Sequence, residues 1–202
     1  NNLNAKVSGY SIDIPTNPSL FESLNLEQNI EHNFGDILDY DSLINVFEKF
    51  KPEIVFHLAA QPIVSESIKN PIDTYRTNII GSANVLECIR NTKSVKTAVM
   101  ITSDKCYENV EWIWGYREND PLGGHDPYSS SKACAEIIFS AYNRSFFYKK
   151  KDFGAATVRA GNVIGGGDWS EDRIIPDCIR AIQSNKPIIL RNPNSTRPWQ
   201  HV

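Results

Sequence analysis

No glycine-rich turn precedes the first strand-like run of this chain. Neither G-x-x-G-x-x-G nor G-x-G-x-x-G occurs before Lys6, so the turn that usually cradles a dinucleotide pyrophosphate at a helix N-terminus is missing from the sequence. The one glycine cluster, Gly165-Gly166-Gly167, follows a late strand-like run and reads as a flexible loop. Long apolar runs are also missing. None approaches the ~20 residues that a membrane-spanning helix needs, and Asn1-Asn2-Leu3-Asn4 does not read as a signal peptide. The four cysteines, Cys88, Cys106, Cys134 and Cys178, are widely spaced with no C-x-x-C pair. That spacing argues against a zinc or disulfide framework and for reduced, mostly buried thiols in a cytoplasmic protein. Charge of one sign is not in excess either. With 21 Lys and Arg against 24 Asp and Glu, the net charge is -3, which gives no basic footprint for nucleic acid or a membrane surface. There is no internal repeat and no low-complexity segment.

What is present fits one sizeable core. The chain has 202 residues, of which 41% are hydrophobic. Strand-like and helix-like runs alternate. Strands are predicted over residues 6–12, 30–34, 53–58, 97–102, 155–160 and 187–190, with the run at 53–58 of the buried parallel type. Helices are predicted over 39–50, 71–91, 127–151 and 173–184, with a loop and short helix over 15–29. Within them Leu43, Ile44, Val46, Phe47 and Phe50 face inward, as do Ile79, Ile80, Val85, Leu86 and Ile89. This alternation predicts an α/β fold, a doubly wound parallel sheet of Rossmann-like type. Ligands of such sheets bind beyond the carboxyl ends of the strands. There the sequence places Asp36, Ala59-Ala60, Ser103-Asp104-Lys105 and Gly161-Asn162. Because the glycine-rich turn is missing and the pattern stops at Gln200-His201-Val202, we expect a chain lacking the first β-α unit and most of a C-terminal substrate domain. Its domains are then 1–170, a dinucleotide-binding domain, and 171–202, the start of a substrate-binding region.

The densest chemistry lies in Tyr128-Ser129-Ser130-Ser131-Lys132. Asp126 reads as a helix N-cap and Pro127 as the first helical residue. Four residues apart, Tyr128 and Lys132 share one helix face. An ammonium beside a phenol favours the phenolate, so Tyr128 can serve as an acid/base near neutral pH. Alone, a Y-x-x-x-K pair also describes many solvated helix surfaces.

The neighbouring motifs add to it. His57-Leu58-Ala59-Ala60-Gln61, Thr77-Asn78 with Gly81, Thr102-Ser103-Asp104-Lys105-Cys106-Tyr107, Tyr128-x-x-x-Lys132 and Arg159-Ala160-Gly161-Asn162-Val163-Ile164-Gly165 follow one another in order. Together they resemble the extended short-chain dehydrogenase/reductase (NAD-dependent epimerase/dehydratase) family. Within it, Ser103 to Asn109, the stretch from Trp112 to Pro121, the segment from Arg159 to Trp169 and the stretch from Arg191 to His201 are most similar to the branch that dehydrates CDP-glucose. Related sugar-nucleotide dehydratases commonly carry Glu where this chain has Lys105.

The resemblance implies roles. The catalytic set is Ser103, Asp104, Lys105, Tyr128 and Lys132. Tyr128 takes the proton of the sugar 4-hydroxyl, Ser103 bonds the 4-oxygen, and Lys105 and Asp104 act as base at C5 and acid at the 6-hydroxyl. NAD is the implied cofactor, held by Asp13, Asp36, Ile37, Leu58, Ala59, Ala60, Gln61, Thr77, Asn78, Tyr128, Lys132 and Val163. An acid at Asp13 suits ribose hydroxyls and repels a 2′-phosphate. CDP-glucose is the implied substrate, bound by Asn162, Arg173, Leu190, Arg191 and Arg197, since Arg suits bidentate phosphate contacts. The family also implies a homo-oligomer and a place in cell-surface polysaccharide biosynthesis, with no metal, nucleic acid or membrane partner. The bland alternatives are a surface ion pair for Asp104 and Lys105, a turn cap for Asn162, a turn acid for Asp13 and solvated arginines, while Trp112, Trp114, Trp169 and Trp199 read as packing rather than base-stacking residues. Two rival functions share the fold. A nucleotide-sugar 4-epimerase needs no C5 base and usually lacks the Asp-Lys pair. A non-catalytic NAD-binding regulator need not keep Tyr128, Lys132 and Asp104 together.

Overall fold

A computed structural model describes residues 3–202. Asn1 and Asn2, the start of the opening Asn-Asn-Leu-Asn, lie outside the described residues. The chain divides into two compact units. One runs through Phe34 and resumes as Gly161–Val202; the other is Gly35–Ala160.

The Gly35–Ala160 unit is built on three parallel strands, β3 (Ile54–His57), β4 (Thr97–Ile101) and β5 (Gly154–Val158), with β4 in the middle. Register pairs His57 with Met100, and Met100 with Thr157. Helices α3 (Tyr40–Phe50), α6 (Ser82–Asn91) and α7 (Pro127–Tyr142) belong to this unit, together with the short α4 (Val64–Lys69) and α5 (Pro71–Tyr75). Strand side chains alternate between faces. His57, Thr102 and Thr157 turn toward α6 and α7, where they hydrogen-bond. Ile54, Phe56 and Val158 turn the other way and are exposed. The run at 53–58 therefore is not buried on both faces as its composition suggested. Among the described residues it is an edge strand, paired only with β4 and covered by helix on one side.

Asp39 and Asp41 both read as candidate caps for helix α3, and the helix uses Asp39. The Asp39 carboxylate accepts from the Ser42 amide at 3.0 Å and from its hydroxyl at 2.6 Å. Leu43 and Phe47, one turn apart, pack toward α6, where Leu86 and Ile89 are fully buried. The long helix predicted over 71–91 is interrupted by a π-helical segment, Arg76–Gly81. The extra residue per turn shifts the phase. Ile80, predicted to face inward, is 52% exposed, and Asn78 is buried in its place. Helix α7 gives way at Asn143–Phe147 to another π turn, short of the predicted residue 151.

The second unit pairs β1 (Ser8–Ser11) with β2 (Glu31–Phe34), and β6 (Asn162–Ile164) with β7 (Trp199–His201); both pairings are parallel. It also holds the short helices α1 (Leu20–Ser23) and α2 (Leu26–Asn29) and the longer α8 (Ile174–Gln183). The strand predicted at 187–190 does not form, and those residues are exposed. Four apolar letters suggested a strand, but no neighbour pairs with them among the described residues. Trp199–His201 forms a strand not expected from its sequence, and its partner lies more than thirty residues earlier. Gly167 is no loose loop residue: at φ +81 it packs so closely on Leu20 that a Cβ would collide with that side chain.

All named strand pairings are parallel and helices alternate with strands, so the α/β, Rossmann-like class holds. Among the described residues no helix is long and apolar enough to cross a membrane. The cysteines are unpaired; Cys88 and Cys106 are buried, Cys134 and Cys178 half-buried. Of the tryptophans, Trp112 packs beside Tyr116 at 5.4 Å, and Trp114 is 67% exposed.

Candidate active site

Helix α7 begins with a full cap. The Asp126 carboxylate accepts from the Ser129 amide at 3.0 Å and its hydroxyl at 2.6 Å, and Pro127 fills the first helical position. Tyr128 follows at once, 9% exposed, its amide donating to the fully buried Ser67 hydroxyl at 3.2 Å. One turn on, Lys132 is 8% exposed. Its ammonium donates to the Ile101 carbonyl at the end of β4, at 3.3 Å. Burial pushes this amine down to about 8.

The residues after β4 form a single 3₁₀ turn, Asp104–Cys106, with Ser103 as its cap. The Ser103 hydroxyl is buried, donates to Asp104 Oδ1 at 3.1 Å and accepts from the Lys105 amide at 3.2 Å. Lys105 Nζ stands 3.6 Å from Asp104 Oδ1, both side chains about one-third exposed. The Asp104 amide donates to the Ala160 carbonyl at 2.9 Å, tying the turn to the chain beyond β5. Ser103, Asp104, Lys105, Tyr128 and Lys132 thus all belong to one unit, and helix α7 packs directly on their turn.

The loop after β3 is pinned by Asn78. Its side-chain carbonyl accepts from the Gln61 amide at 2.8 Å, and its amide donates to the Gln61 carbonyl at 3.1 Å and the Ser131 hydroxyl at 2.8 Å. Gln61 also donates to the Thr74 hydroxyl at 2.9 Å. Asn78 and Gln61 spend these groups holding the loop to α7, while Leu58 is exposed, and Ala59, Ala60 and Thr77 are half-exposed. Ile37 is buried, its carbonyl accepting from Asn84 at 2.9 Å. The Asp36 carboxylate caps the same turn through the Leu38 amide at 2.9 Å. Gly81 is required here, because a Cβ would run into the Ile37 side chain. The glycine of the Thr77-Asn78-x-x-Gly81 motif therefore seats Ile37 below the loop.

The remaining predicted residues lie in the other unit. Asp13 lines a cavity of about 240 Å³ with Ser11, Ile14, Thr16, Phe21 and Trp169. The Asn162 amide donates to the Pro198 carbonyl at 2.9 Å, and Val163, next to it on β6, is exposed. Arg173 pairs with Asp168 at 3.2 Å and Arg191 with Asp172 at 3.3 Å. Leu190 and Arg197 are exposed in irregular chain.

Two buried ionisable groups escaped the sequence reading as participants. One is Glu136, four residues past Lys132 on the same helix face and 5% exposed. The other, His57, sits under the site, Nε2 at 2.9 Å from the Ser82 hydroxyl. Burial, and second the Lys132 charge, push it down to about 4. An unfolded histidine titrates near pH 6.5. Between those values the unfolded chain binds a proton that the folded chain refuses, so stability is full above pH 6.5 and falls as pH drops toward 4. Between pH 7 and 4.5 His57 should contribute a loss on the order of 2 kcal/mol. Urea unfolding of wild type and His57→Gln at both pH values measures it; equal acid sensitivity of the two would contradict the assignment.

The donor chemistry suits a ribose-bearing cofactor. Among the described residues the buried Lys132 ammonium has one long backbone acceptor for three donors, and small residues, Ala59 and Ala60, follow β3.

Parallel strands joined by helices, with Tyr-x-x-x-Lys opening the helix beside the serine turn, define an extended short-chain dehydrogenase/reductase. The sequence comparison is more specific. The family described as GDP-mannose 4,6 dehydratase matches residues 13–202, and the chain belongs to that family. It is 54% identical to a CDP-glucose 4,6-dehydratase of Salmonella typhimurium over 99% of this chain and 57% of that protein. It is 34% identical to a dTDP-D-glucose 4,6-dehydratase of Dictyostelium discoideum over 87% of this chain and 42% of that protein. The chain thus spans about half the length of these relatives. Among solved structures, a UDP-glucose 4-epimerase from Thermotoga maritima superposes with TM-score 0.84 at 22% identity, covering 99% of this chain and 62% of that one. A dTDP-glucose 4,6-dehydratase from Streptomyces venezuelae, solved with NAD bound, gives 0.81 at 23%, covering 97% and 58%. At these identities both show the fold.

Proposed function

We propose that the whole protein removes water from CDP-glucose to give CDP-4-keto-6-deoxyglucose, a cytoplasmic step in deoxysugar supply for cell-surface polysaccharide. The carrying observation is the Ser103-Asp104-Lys105 turn, bonded to itself and packed against the helix of Tyr128 and Lys132. The 54% identical relative, itself named for this reaction, supports the choice of nucleotide.

NAD is the cofactor of this reading; bound, it accepts hydrogen and its electron pair from C4 and returns them at C6. On the Gly35–Ala160 unit, Asp36 and Ile37 serve its adenine, Leu58, Ala59, Ala60, Gln61, Thr77 and Asn78 shape its path, and Lys132 takes its ribose. Asp13 serves the adenosine ribose and Val163 the nicotinamide end. Asn162, Arg173, Leu190, Arg191 and Arg197 serve the nucleoside diphosphate of the substrate. Arg173 and Arg191 exchange their carboxylate partners for phosphate.

Tyr128 accepts the proton of the sugar 4-hydroxyl. The Lys132 ammonium makes the phenolate accessible. With its amine at about 8, Lys132 is still mostly charged at pH 7 and loses that charge above pH 8. Ser103 bonds the 4-oxygen. Once C4 is a ketone, its neighbouring C5 proton is acidic. Lys105 removes it, and Asp104 protonates the leaving 6-hydroxyl. The two groups stand 3.6 Å apart, and transfer of the ammonium proton from Lys105 to Asp104 leaves the pair as a base and an acid. Incubation of the whole protein with CDP-glucose, followed by mass spectrometry, tests the reading. Loss of one water supports it. A product of unchanged mass inverted at C4 would establish a 4-epimerase instead.

A further inference from the structure

Glu136 carries a buried charge that the dehydration chemistry does not use, and partners saturate it. One carboxylate oxygen accepts from the Thr102 hydroxyl. The other accepts from the Thr157 hydroxyl at 3.0 Å and from Arg159 Nη2 at 3.0 Å. Arg159 in turn donates to the Glu118 carbonyl at 3.0 Å and lies over the Tyr107 ring, 4.8 Å from its centre. Burial raises the Glu136 carboxyl, but the bonds from Arg159, Thr102 and Thr157 outweigh it and hold the group below its usual range.

The destinations of these bonds are specific. Thr102 immediately precedes Ser103, and Tyr107 immediately follows the Asp104–Cys106 turn. One carboxylate therefore grips both ends of the segment bearing Ser103, Asp104 and Lys105, directly at one end and through Arg159 at the other. The same carboxylate is rigidly joined to the other half of the site. Glu136 lies four residues past Lys132 and eight past Tyr128 on α7, about 6 Å and 12 Å along one helix face. A buried ion pair seldom stabilises a fold more than apolar packing of the same volume would. Here it joins two pieces of chain whose separation the reaction depends on.

We infer that Glu136 and Arg159 are positioning residues that set the Ser103-Asp104-Lys105 turn against Tyr128 and Lys132, an inference that rests on the dehydratase reading. Neither touches the reacting atoms.

The test uses the whole protein. Thr102→Val keeps the branched shape and removes the hydroxyl, leaving Glu136 bound to Arg159 and Thr157; Thr102→Ser restores the hydroxyl. Displacing a catalytic group by about 1 Å costs on the order of 10²-fold. Thr102→Val should therefore lose about 10- to 100-fold in kcat, with KM for CDP-glucose within about threefold, and Thr102→Ser should recover most of it. Hydrogen exchange followed by mass spectrometry gives a second readout independent of substrate. In Glu136→Gln, amides of residues 103–107 should exchange about tenfold faster while α7 keeps its protection. If that variant does not fold, the same exchange is read in Thr102→Val. Wild-type turnover in Thr102→Val, a loss confined to KM, no rescue by serine, or exchange that rises throughout the unit or not at all in residues 103–107 would each overturn the inference. Should the wild-type protein fail to dehydrate CDP-glucose, the functional reading falls and the exchange result alone decides the positioning role.

Discussion

Tyr128→Phe should turn CDP-glucose over about 10²–10⁴-fold more slowly than wild type while folding normally. The removed oxygen is the proposed base for the 4-hydroxyl proton. The ring that packs at the start of α7 stays, and so do the Tyr128 backbone bonds to Ser67 and Ser131. Substrate affinity should change little, because the loss falls on the transition state rather than on binding. Circular dichroism, equilibrium binding and steady-state rates read the three parts separately. Near-normal turnover would show that Tyr128 is not the base and that the shared helix face with Lys132 is a structural coincidence.

Lys105→Ala should produce a different failure, one that separates the two halves of the reaction. The Lys105–Asp104 pair is partly exposed, and such pairs contribute about 0–1 kcal/mol, so the variant should fold. Tyr128, Lys132 and Ser103 remain, so the sugar should still be oxidised at C4. Elimination should stop for want of a base at C5. In a quenched single turnover, borodeuteride should then label C4 of an accumulated 4-ketoglucose nucleotide, and C5 should carry no solvent deuterium. A variant that never oxidises C4 would place Lys105 earlier, in seating the sugar. A variant that turns over normally would move the C5 base elsewhere and undo the division of labour between Lys105 and Asp104.

Local chemistry made the site legible in the sequence wherever its cause was local. The Asp39 and Asp126 caps, Pro127 at the first helical position and the four-residue spacing of Tyr128 and Lys132 all depend on residues within one or two turns. The alternation of β and α runs likewise carried the fold class. Misreadings arose where distant chain decided the outcome. Residues 53–58 look buried on both faces, yet β3 is covered on one face only, so Phe56 is exposed. Ile80 fits the helical stripe of 71–91, but the π segment rotates it outward and brings in Asn78. Among the described residues, 187–190 have strand letters without a pairing strand, and 199–201 have the partner without the letters. Glu136 was visible as an acid one turn past Lys132 in a helix of small and apolar residues. Its partners Thr102 and Arg159 lie 34 and 23 residues away, beyond any spacing rule.

In the proposed reaction one sugar is oxidised at C4, dehydrated across C5 and C6, and reduced at C6 within a single site. CDP-glucose carrying deuterium at C4 tests it most directly. If a single site performs all three steps, the product of the whole protein has lost one water and carries that deuterium at C6. An isomer of unchanged mass with the label still at C4, or a dehydrated product whose C6 hydrogen comes from solvent, would contradict it.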